Sequence, residues 1–269
     1  MNVTYEELTR RNAGFVTVTE QRLLRASSVF VCGVGGMGGA AVHALARTGL
    51  GTVAIADPDS FEASNLNRQT FADLDALGAS KVDVTRAALR RMNPWLDVEL
   101  VADDWTSRLD VVLARHRVVV NAMDDVRSGI ALYRKARDRG ATVIDAYISP
   151  CPSVTVVGPD DPRPEERLGF PTVGIPVDRL TDEQIRASFL REVEYVSHVS
   201  TGLERLEPGV VDEILAGRLP RSSFAPTVML TGNLMAFEAI LRVLGRESGA
   251  GCEGYFLDPW SGRVERPAA

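Results

Sequence analysis

The chain has 269 residues, 45% of them apolar and 25% charged, a composition typical of a globular enzyme with one large domain or two small ones. Its net charge of −6 argues against non-specific binding to nucleic acid or to anionic membranes. No apolar run approaches the ~18–20 residues that a membrane span needs. We therefore expect neither a nucleic-acid partner nor a membrane partner.

The cysteines exclude a further class of site. Cys32, Cys151 and Cys252 lie far apart, and none belongs to a CxxC pair. We therefore expect no zinc ribbon and no disulfide framework. The opening residues MNVTYEELTRRN are polar and contain no signal-peptide core. This pattern predicts a cytoplasmic protein.

In chain order, the first predicted element is a short helix in TEQRLLRAS, within an N-terminal arm that we assign to residues 1–28. Apolar runs then predict strands over 29–34, 52–57, 97–102, 117–121 and 141–146. Helical patterns lie between them, over 37–48, 79–92, 107–115 and 126–139. This alternation predicts an α/β fold with a Rossmann-like, mostly parallel sheet that carries helices on both faces.

The pattern changes near Tyr147. Residues 153–159 predict one more strand, which we expect to run antiparallel, so the Rossmann-like domain is assigned to 29–158. Residues 159–223 are interpreted as a crossover and substrate region with a helix over 181–196. Residues 224–269 are expected to complete the same domain. They contain a proline-started apolar helix over 225–245, in the core or at an interface, and a closing strand or hairpin over 254–266.

A glycine-rich turn follows the first predicted strand. Gly33, Gly35 and Gly38 fit the pattern G-x-G-x-x-G, and Gly36 adds another residue without a side chain to the loop. A helix that starts at such a turn offers free amides and a positive dipole end to phosphate. Asp57 ends the next strand, where an acid accepts hydrogen bonds from ribose hydroxyls. The alternatives are a glycine turn without a ligand and a loop or capping role for Asp57.

Two cations and two acids follow the glycine turn. Arg68 and Lys81 suit a triphosphate better than a redox cofactor, because arginine and lysine both bind phosphate oxygens. Asp124 and Asp125 follow the strand VVVNA, at the carboxyl edge where ligands of such sheets bind. A carboxylate there suits Mg²⁺ bound to nucleotide phosphates. The alternatives are a solvated surface for the cations and helix capping for one of the acids.

Ordered motifs then identify a family. They are GVGGMGG (33–39), DPDSFEASNLNRQ (57–69), Lys81 within GASKVD, RMNP (91–94) and NAMDDVR (121–127). With them the chain resembles the ThiF/MoeB/HesA family of adenylyltransferases, the relatives of ubiquitin-activating enzymes, over about residues 8–160. It differs from many members by lacking two zinc-binding CxxC pairs, so no zinc is expected.

The resemblance implies ATP- and Mg²⁺-dependent adenylation of a carboxylate with release of pyrophosphate. The acid would be the C-terminus of a small ubiquitin-like sulfur carrier, or a peptide or small-molecule carboxylate. Carried over by motif, the implied roles are nucleotide contact for Gly35 and Gly36, ribose binding for Asp57, triphosphate binding for Asn65, Arg68 and Lys81, and Mg²⁺ binding for Asp124. The resemblance also implies a homodimer in which an arginine of the partner's N-terminal arm acts, with Arg11 as the candidate and Arg10 next.

Two other functions remain open at this stage. One is an NAD(P)-dependent oxidoreductase that uses the same glycine turn, and the other is a non-catalytic nucleotide-binding subunit. Asn65, Arg68, Lys81 and Asp124 favour the adenylyltransferase, because a nicotinamide site does not require them. Cys32 is predicted to lie in the core. Cys151 and Cys252 are interpreted as structural, which predicts adenylation without a thioester on the enzyme.

Overall fold

The computed structural model describes residues 3–101 and 104–267. Eight strands in these ranges form one sheet. The strands are β1 Ser28–Cys32, β2 Thr52–Ala56, β3 Asp97–Leu100, β4 Val118–Asn121, β5 Thr142–Asp145, β6 Ser153–Val157, β7 Tyr255–Asp258 and β8 Arg263–Glu265.

The sheet has the order β3-β2-β1-β4-β5-β6-β7-β8. Its first five strands in that order are parallel, and β1 lies at their centre, with Phe30 opposite Ala54 of β2 and Val119 of β4. The direction reverses at β6, where Val156 lies opposite Ile144 of β5. The last two strands continue antiparallel. The predicted Rossmann-like sheet with an antiparallel continuation is confirmed.

Helices connect the strands. They are α1 Tyr5–Thr9, α2 Val18–Ala26, α3 Gly36–Arg47, α4 Lys81–Met92, α5 Leu109–Arg115, α6 Val126–Arg139, α7 Pro164–Arg167, α8 Asp182–Val199, α9 Val210–Leu215 and α10 Ala225–Val243. Within the described ranges, none of these helices combines the length and apolar character needed to cross a bilayer.

The central strands are buried on both faces because helices cover each side. Val29 and Val31 of β1 point into one apolar cluster, which also contains Leu45 of α3 and Met235 of α10. Phe30 points the other way, into a cluster with Leu113 of α5. Fully apolar strands are what such a doubly covered parallel sheet requires. Cys32 has no exposed surface, which confirms its predicted place in the core.

Several predicted boundaries were wrong by a few residues. The first strand ends at Cys32 rather than residue 34, because Gly33 turns the chain with a φ of +84°. The helix predicted over 107–115 is α-helical only from Leu109 and follows a 3₁₀ turn. α7 and α9 lie in a region where only one helix was predicted. Residue 102 of the predicted 97–102 strand lies outside the described residues, as do the outermost residues of both terminal segments, 1–2 and 268–269.

The apolar helix α10 belongs to the core along one side. Gly232 lies so close to α3 that an added Cβ atom would be 2.2 Å from the Met37 carbonyl oxygen. The opposite side of α10 exposes Met229 and Phe237. The helix thus packs on α3 along one side and exposes Met229, Asn233 and Phe237 on the other.

Candidate active site

A cavity of about 760 Å³ lies at the carboxyl ends of the parallel strands. Its polar wall comes from the glycine turn and from the segments that follow β2, β4 and β5, and it includes Gly33, Gly35, Gly36, Asp57, Asp59, Arg68, Gln69, Lys81, Asp124 and Asp125. The volume lies within the usual range for small-molecule sites, and the location is the edge at which open α/β sheets bind ligands.

The glycine turn brings the backbone of α3 to this cavity. Gly33 adopts a φ of +84°, which strains any other residue, and an added Cβ atom would lie 2.7 Å from the Ala122 carbonyl oxygen. At Gly38 an added Cβ atom would be 1.8 Å from the Gly33 carbonyl oxygen, so only glycine lets α3 pack so closely on β1. Gly35 and Gly36 line the cavity at the start of α3. The free amides of that helix terminus suit an anion.

Gln69 is a cavity residue to which the sequence analysis gave no role. Its side chain is buried beside Gly35, and its Oε1 atom has no hydrogen-bond partner in the described part of the chain. This amide oxygen is therefore available to accept a hydrogen bond from a ligand in the cavity. The only sequence signal was its place at the end of the motif NLNRQ.

Asp57 holds the glycine turn in place. Its Oδ2 atom accepts the Val34 amide at 2.8 Å, and its Oδ1 atom accepts the Asp59 amide at 3.0 Å. Burial raises the pKa of Asp57, and the two amide hydrogen bonds partly oppose that rise. Each carboxylate oxygen retains a second lone pair, so Asp57 can also accept a hydrogen bond from a ligand hydroxyl.

Lys81 is the first residue of α4, and its ammonium group is almost fully buried. A cation at a helix N-terminus faces the positive end of the dipole. Asp59 offsets this charge, because its Oδ2 atom lies 2.7 Å from Lys81 Nζ. The Asp59 side chain is itself largely exposed. This ion pair was not predicted from the sequence.

Arg68 and Asn65 differ in what they present to the cavity. Arg68 lines it, and its Nη1 atom donates to the Ser64 carbonyl at 2.8 Å and to Asn67 Oδ1 at 2.9 Å. Asn65 is buried below the loop, where its Oδ1 atom accepts the Glu62 amide at 3.1 Å, and it does not line the cavity. Asn65 therefore shapes the loop that carries Arg68.

The two acids after β4 have separate roles. Asp125 caps α6 by accepting the amides of Arg127 and Ser128. Asp124 is largely exposed to the cavity, and its Oδ2 atom lies 2.9 Å from Nη2 of Arg221. Arg221 comes from the segment before α10, which sequence patterns left unassigned. The alternative reading of one acid as a helix cap thus applies to Asp125.

The crossover segment supplies the apolar wall of the cavity. Its contributions come from α8, from α9 and from the turn between them, and they include Phe189, Val193, Leu203, Leu206, Val211, Ile214 and Leu215. Arg11 lies in an exposed 3₁₀ turn after α1, outside the residues that line the cavity of this chain. The structure therefore brings together all the predicted site residues except Asn65 and Gly38, which lie behind the wall, and Arg11.

Cys151 and Cys252 both have thiol pKa values raised by burial. Cys151 is buried, and burial raises the pKa of its thiol, which lowers the fraction of reactive thiolate. Burial also raises the pKa of Cys252. Across residues 3–101 and 104–267, no group of three or more histidine, cysteine or acidic side chains is arranged to hold a metal ion.

Known proteins share this sequence pattern. The profile of the ThiF family matches residues 9–268. The molybdopterin-synthase adenylyltransferase of Escherichia coli strain K12 is 37% identical over 109 residues, which are 39% of this chain and 43% of that protein. The tRNA threonylcarbamoyladenosine dehydratase of the same strain is 34% identical over 119 residues, 43% of this chain and 44% of that protein. The matched segment thus spans less than half the length of either relative.

Solved structures share the fold. The E. coli dehydratase TcdA in complex with ATP superposes with a TM-score of 0.63 at 19% identity, over 91% of this chain and 98% of that one. E. coli MccB with AMPCPP and MccA gives a TM-score of 0.66 at 16% identity, over 93% of this chain and 66% of that one. Because the family profile covers nearly the whole sequence, the chain belongs to the ThiF family.

Proposed function

We propose that this protein activates a carboxylate by ATP-dependent adenylation and releases pyrophosphate. One observation carries the proposal: the glycine turn, Arg68, Lys81 and Asp124 all line a single cavity at the carboxyl edge of the sheet. Family membership supports the same chemistry, since a relative named as an adenylyltransferase is 37% identical over 39% of this chain.

The proposed reaction joins two anions. A carboxylate oxygen of the acid attacks the α-phosphorus of ATP, the bond from that phosphorus to the bridging oxygen breaks, and pyrophosphate leaves with the electron pair. The amides of the glycine turn, Lys81 and Arg68 are placed to offset the charge on the phosphates. No general base is needed, because a carboxylate is already ionised at neutral pH. The rate enhancement would come from positioning and electrostatics.

We propose that Asp124 is the residue of this chain that would hold Mg²⁺ in the cavity. A single exposed carboxylate is a sufficient protein contribution for this ion, which usually takes one or two carboxylates together with phosphates and waters. Asp124 fits, because it faces the cavity and its only described partner is Arg221. Asp125 does not fit, because both of its oxygens serve the cap of α6. When bound, the ion would neutralise phosphate charge.

Partners follow from the same chemistry. The acid is proposed to be the C-terminus of a ubiquitin-like carrier protein, or a peptide or small-molecule carboxylate. A homodimer is proposed in which Arg11 of one chain reaches the cavity of the other, since Arg11 is exposed and away from its own cavity. The matched dehydratases act on tRNA according to their name, but a net charge of −6 disfavours a polyanionic partner for this chain. A cytoplasmic location is proposed together with this activity.

The alternatives are weaker on specific observations. A nicotinamide cofactor does not require Lys81 and Asp124 beside the glycine turn. A non-catalytic subunit would not be expected to retain Lys81, Arg68 and Asp124 around one cavity. Incubation with ATP and with NADH, followed by release of bound ligand and chromatography, distinguishes a nicotinamide site from an ATP site.

The activity test is ATP–pyrophosphate exchange, screened against peptides, ubiquitin-like carriers and small acids. Lys81→Met should reduce exchange by at least a hundredfold, because it removes a buried phosphate-binding charge. Lys135→Met is the matched control, since Lys135 pairs with Asp110 on the surface and should leave exchange unchanged. Equal losses in both variants, or exchange in Lys81→Met at the wild-type rate, would contradict the proposal.

A further inference from the structure

A second, smaller cavity adjoins the proposed ATP cavity. It has a volume of about 90 Å³, and Tyr147, Arg167 and Glu192 line it. It shares Asp124, Tyr147 and other wall residues with the larger cavity, so the two are neighbours. Because an empty cavity of about 150 Å³ holds benzene, this one has room for a group of roughly four non-hydrogen atoms.

Arg167 is the unusual member of this cavity. It is the last residue of α7, and its three guanidinium nitrogens are shielded from solvent without a hydrogen-bond partner in the described part of the chain. Its Cζ atom lies 5.6 Å and 5.3 Å from the ring centres of Tyr147 and Tyr195, with which it makes cation–π contacts. The Tyr195 hydroxyl is likewise buried and without a partner. Such groups are costly to bury unless a ligand completes them.

The acids of the cavity limit what that ligand is. Asp145 already accepts hydrogen bonds from Asn121, Tyr133 and the Ala146 amide, each at 2.7 Å. Among the described residues, the Ile148 amide alone donates a hydrogen bond to Glu192, at 2.9 Å, so this carboxyl group can accept further donors. Above about pH 7, where Asp145 and Glu192 are both ionised because their pKa values are raised to about 6 and about 7, an anionic ligand on Arg167 would lie close to two carboxylates. An uncharged amide adds no charge, since it offers a carbonyl oxygen to the guanidinium and an N–H to a carboxylate.

We propose that the small cavity binds an uncharged amide group of the acid that is activated, with its carbonyl oxygen on Arg167 and its N–H on Glu192. The inference rests on the proposed function, because it places the reacting carboxylate beside Asp124 in the adjoining cavity. It narrows the substrate class to acids that carry an amide a short distance from the carboxylate, such as a peptide terminus or its carboxamide side chain.

Four acids of the same shape test the assignment. Succinamate carries a carboxamide, succinate a second carboxylate, 4-oxopentanoate a ketone and 4-methylpentanoate a branched alkyl group. Their binding to the full chain is measured by ligand-observed NMR. Succinamate should bind at least tenfold more tightly than 4-methylpentanoate and more tightly than succinate. Equal binding of the four acids, or preference for succinate or 4-methylpentanoate, would overturn the assignment.

Substitutions of Arg167 provide an independent test of the amide site. Arg167→Leu and Arg167→Met should abolish the preference for succinamate while the melting temperature stays the same or rises, because a buried charge without a partner is removed. Arg179→Leu, an exposed arginine of the same segment, is the control and should retain the preference. A lower melting temperature with the preference intact would make Arg167 a structural residue and overturn the proposal.

The adenylation proposal and the amide-site proposal are tested by different measurements. Binding of the four acids is read without any turnover of ATP, whereas pyrophosphate exchange reports adenylation. Exchange without a preference for the amide overturns the cavity assignment alone. Amide binding that depends on Arg167, without exchange under any acid, overturns the adenylation and leaves the amide site in place.

Discussion

Arg221 Nη2 lies 2.9 Å from Asp124 Oδ2 and joins the segment before α10 to the carboxyl end of β4. The Asp124 side chain of this ion pair is largely exposed, and it is the one carboxylate that we propose as a ligand of Mg²⁺. An ion pair with that exposure contributes about 0–1 kcal/mol. Mg²⁺ can therefore displace Arg221 from Asp124, and this competition raises the Mg²⁺ concentration that is needed.

Arg221→Leu should lower the Mg²⁺ concentration for half-maximal pyrophosphate exchange by up to about fivefold, the equivalent of ~1 kcal/mol. Arg218→Leu removes a neighbouring arginine that pairs with Glu213 at 2.6 Å and should leave the Mg²⁺ requirement unchanged. Titration of exchange against Mg²⁺ measures both. A large loss of exchange at saturating Mg²⁺ would instead mean that Arg221 contacts the nucleotide or the acid.

Asp59→Asn tests the charge balance around Lys81. Without Asp59 the buried ammonium has no anion at 2.7 Å, so the unfolding free energy should fall by about 1 kcal/mol, a modest figure because Asp59 is mostly exposed. The stabilisation by ATP should increase, since the triphosphate then supplies the missing negative charge. Chemical denaturation with and without ATP measures both effects. Asp110→Asn, another exposed acid that pairs with cations, should not change the response to ATP.

Gly38→Ala tests the contact between α3 and β1. An added methyl group would lie 1.8 Å from the Gly33 carbonyl oxygen, so the turn must move, and we expect a loss of more than about 3 kcal/mol of unfolding free energy together with loss of ATP binding. Gly129→Ala in α6 is the matched control. Its methyl group meets nothing closer than 3.7 Å, and alanine is the better helix former by about 1 kcal/mol, so that variant should be as stable as the wild type or more stable.

The sequence predicted the parallel half of this molecule well, because its signals are local. A glycine turn between β1 and α3, or an acid after β2, depends on residues close together in the chain. The crossover region was read poorly for the opposite reason. Glu192 lies on a helix whose charges look solvated in sequence, and it becomes part of a cavity only because α8 packs near the end of β5. Arg167 and Arg221 likewise depend on long-range packing that no local pattern records.

Titration of Glu192 should make the unfolding free energy of the protein depend on pH. Burial is the main cause that raises its pKa to about 7 from an ordinary 4.5, and the nearby Asp145 carboxylate adds to the rise. The Ile148 amide, Arg221 and Arg167 act in the opposite direction. The folded state therefore holds a proton that the unfolded chain has already lost, so the unfolding free energy should fall as the pH rises from 4.5 to 7.

Glu192→Gln removes this titration. At pH 4 the variant and the wild type should be similar in stability, whereas at pH 8 the variant should be more stable by up to about 3.5 kcal/mol, since the pKa rises by ~2.5 units and each unit corresponds to ~1.4 kcal/mol. Glu194→Gln, an exposed acid of the same helix, should follow the wild type at every pH. Urea denaturation at a series of pH values measures the difference. A constant offset between Glu192→Gln and wild type across this range would mean that Glu192 does not titrate there, and would contradict the raised pKa.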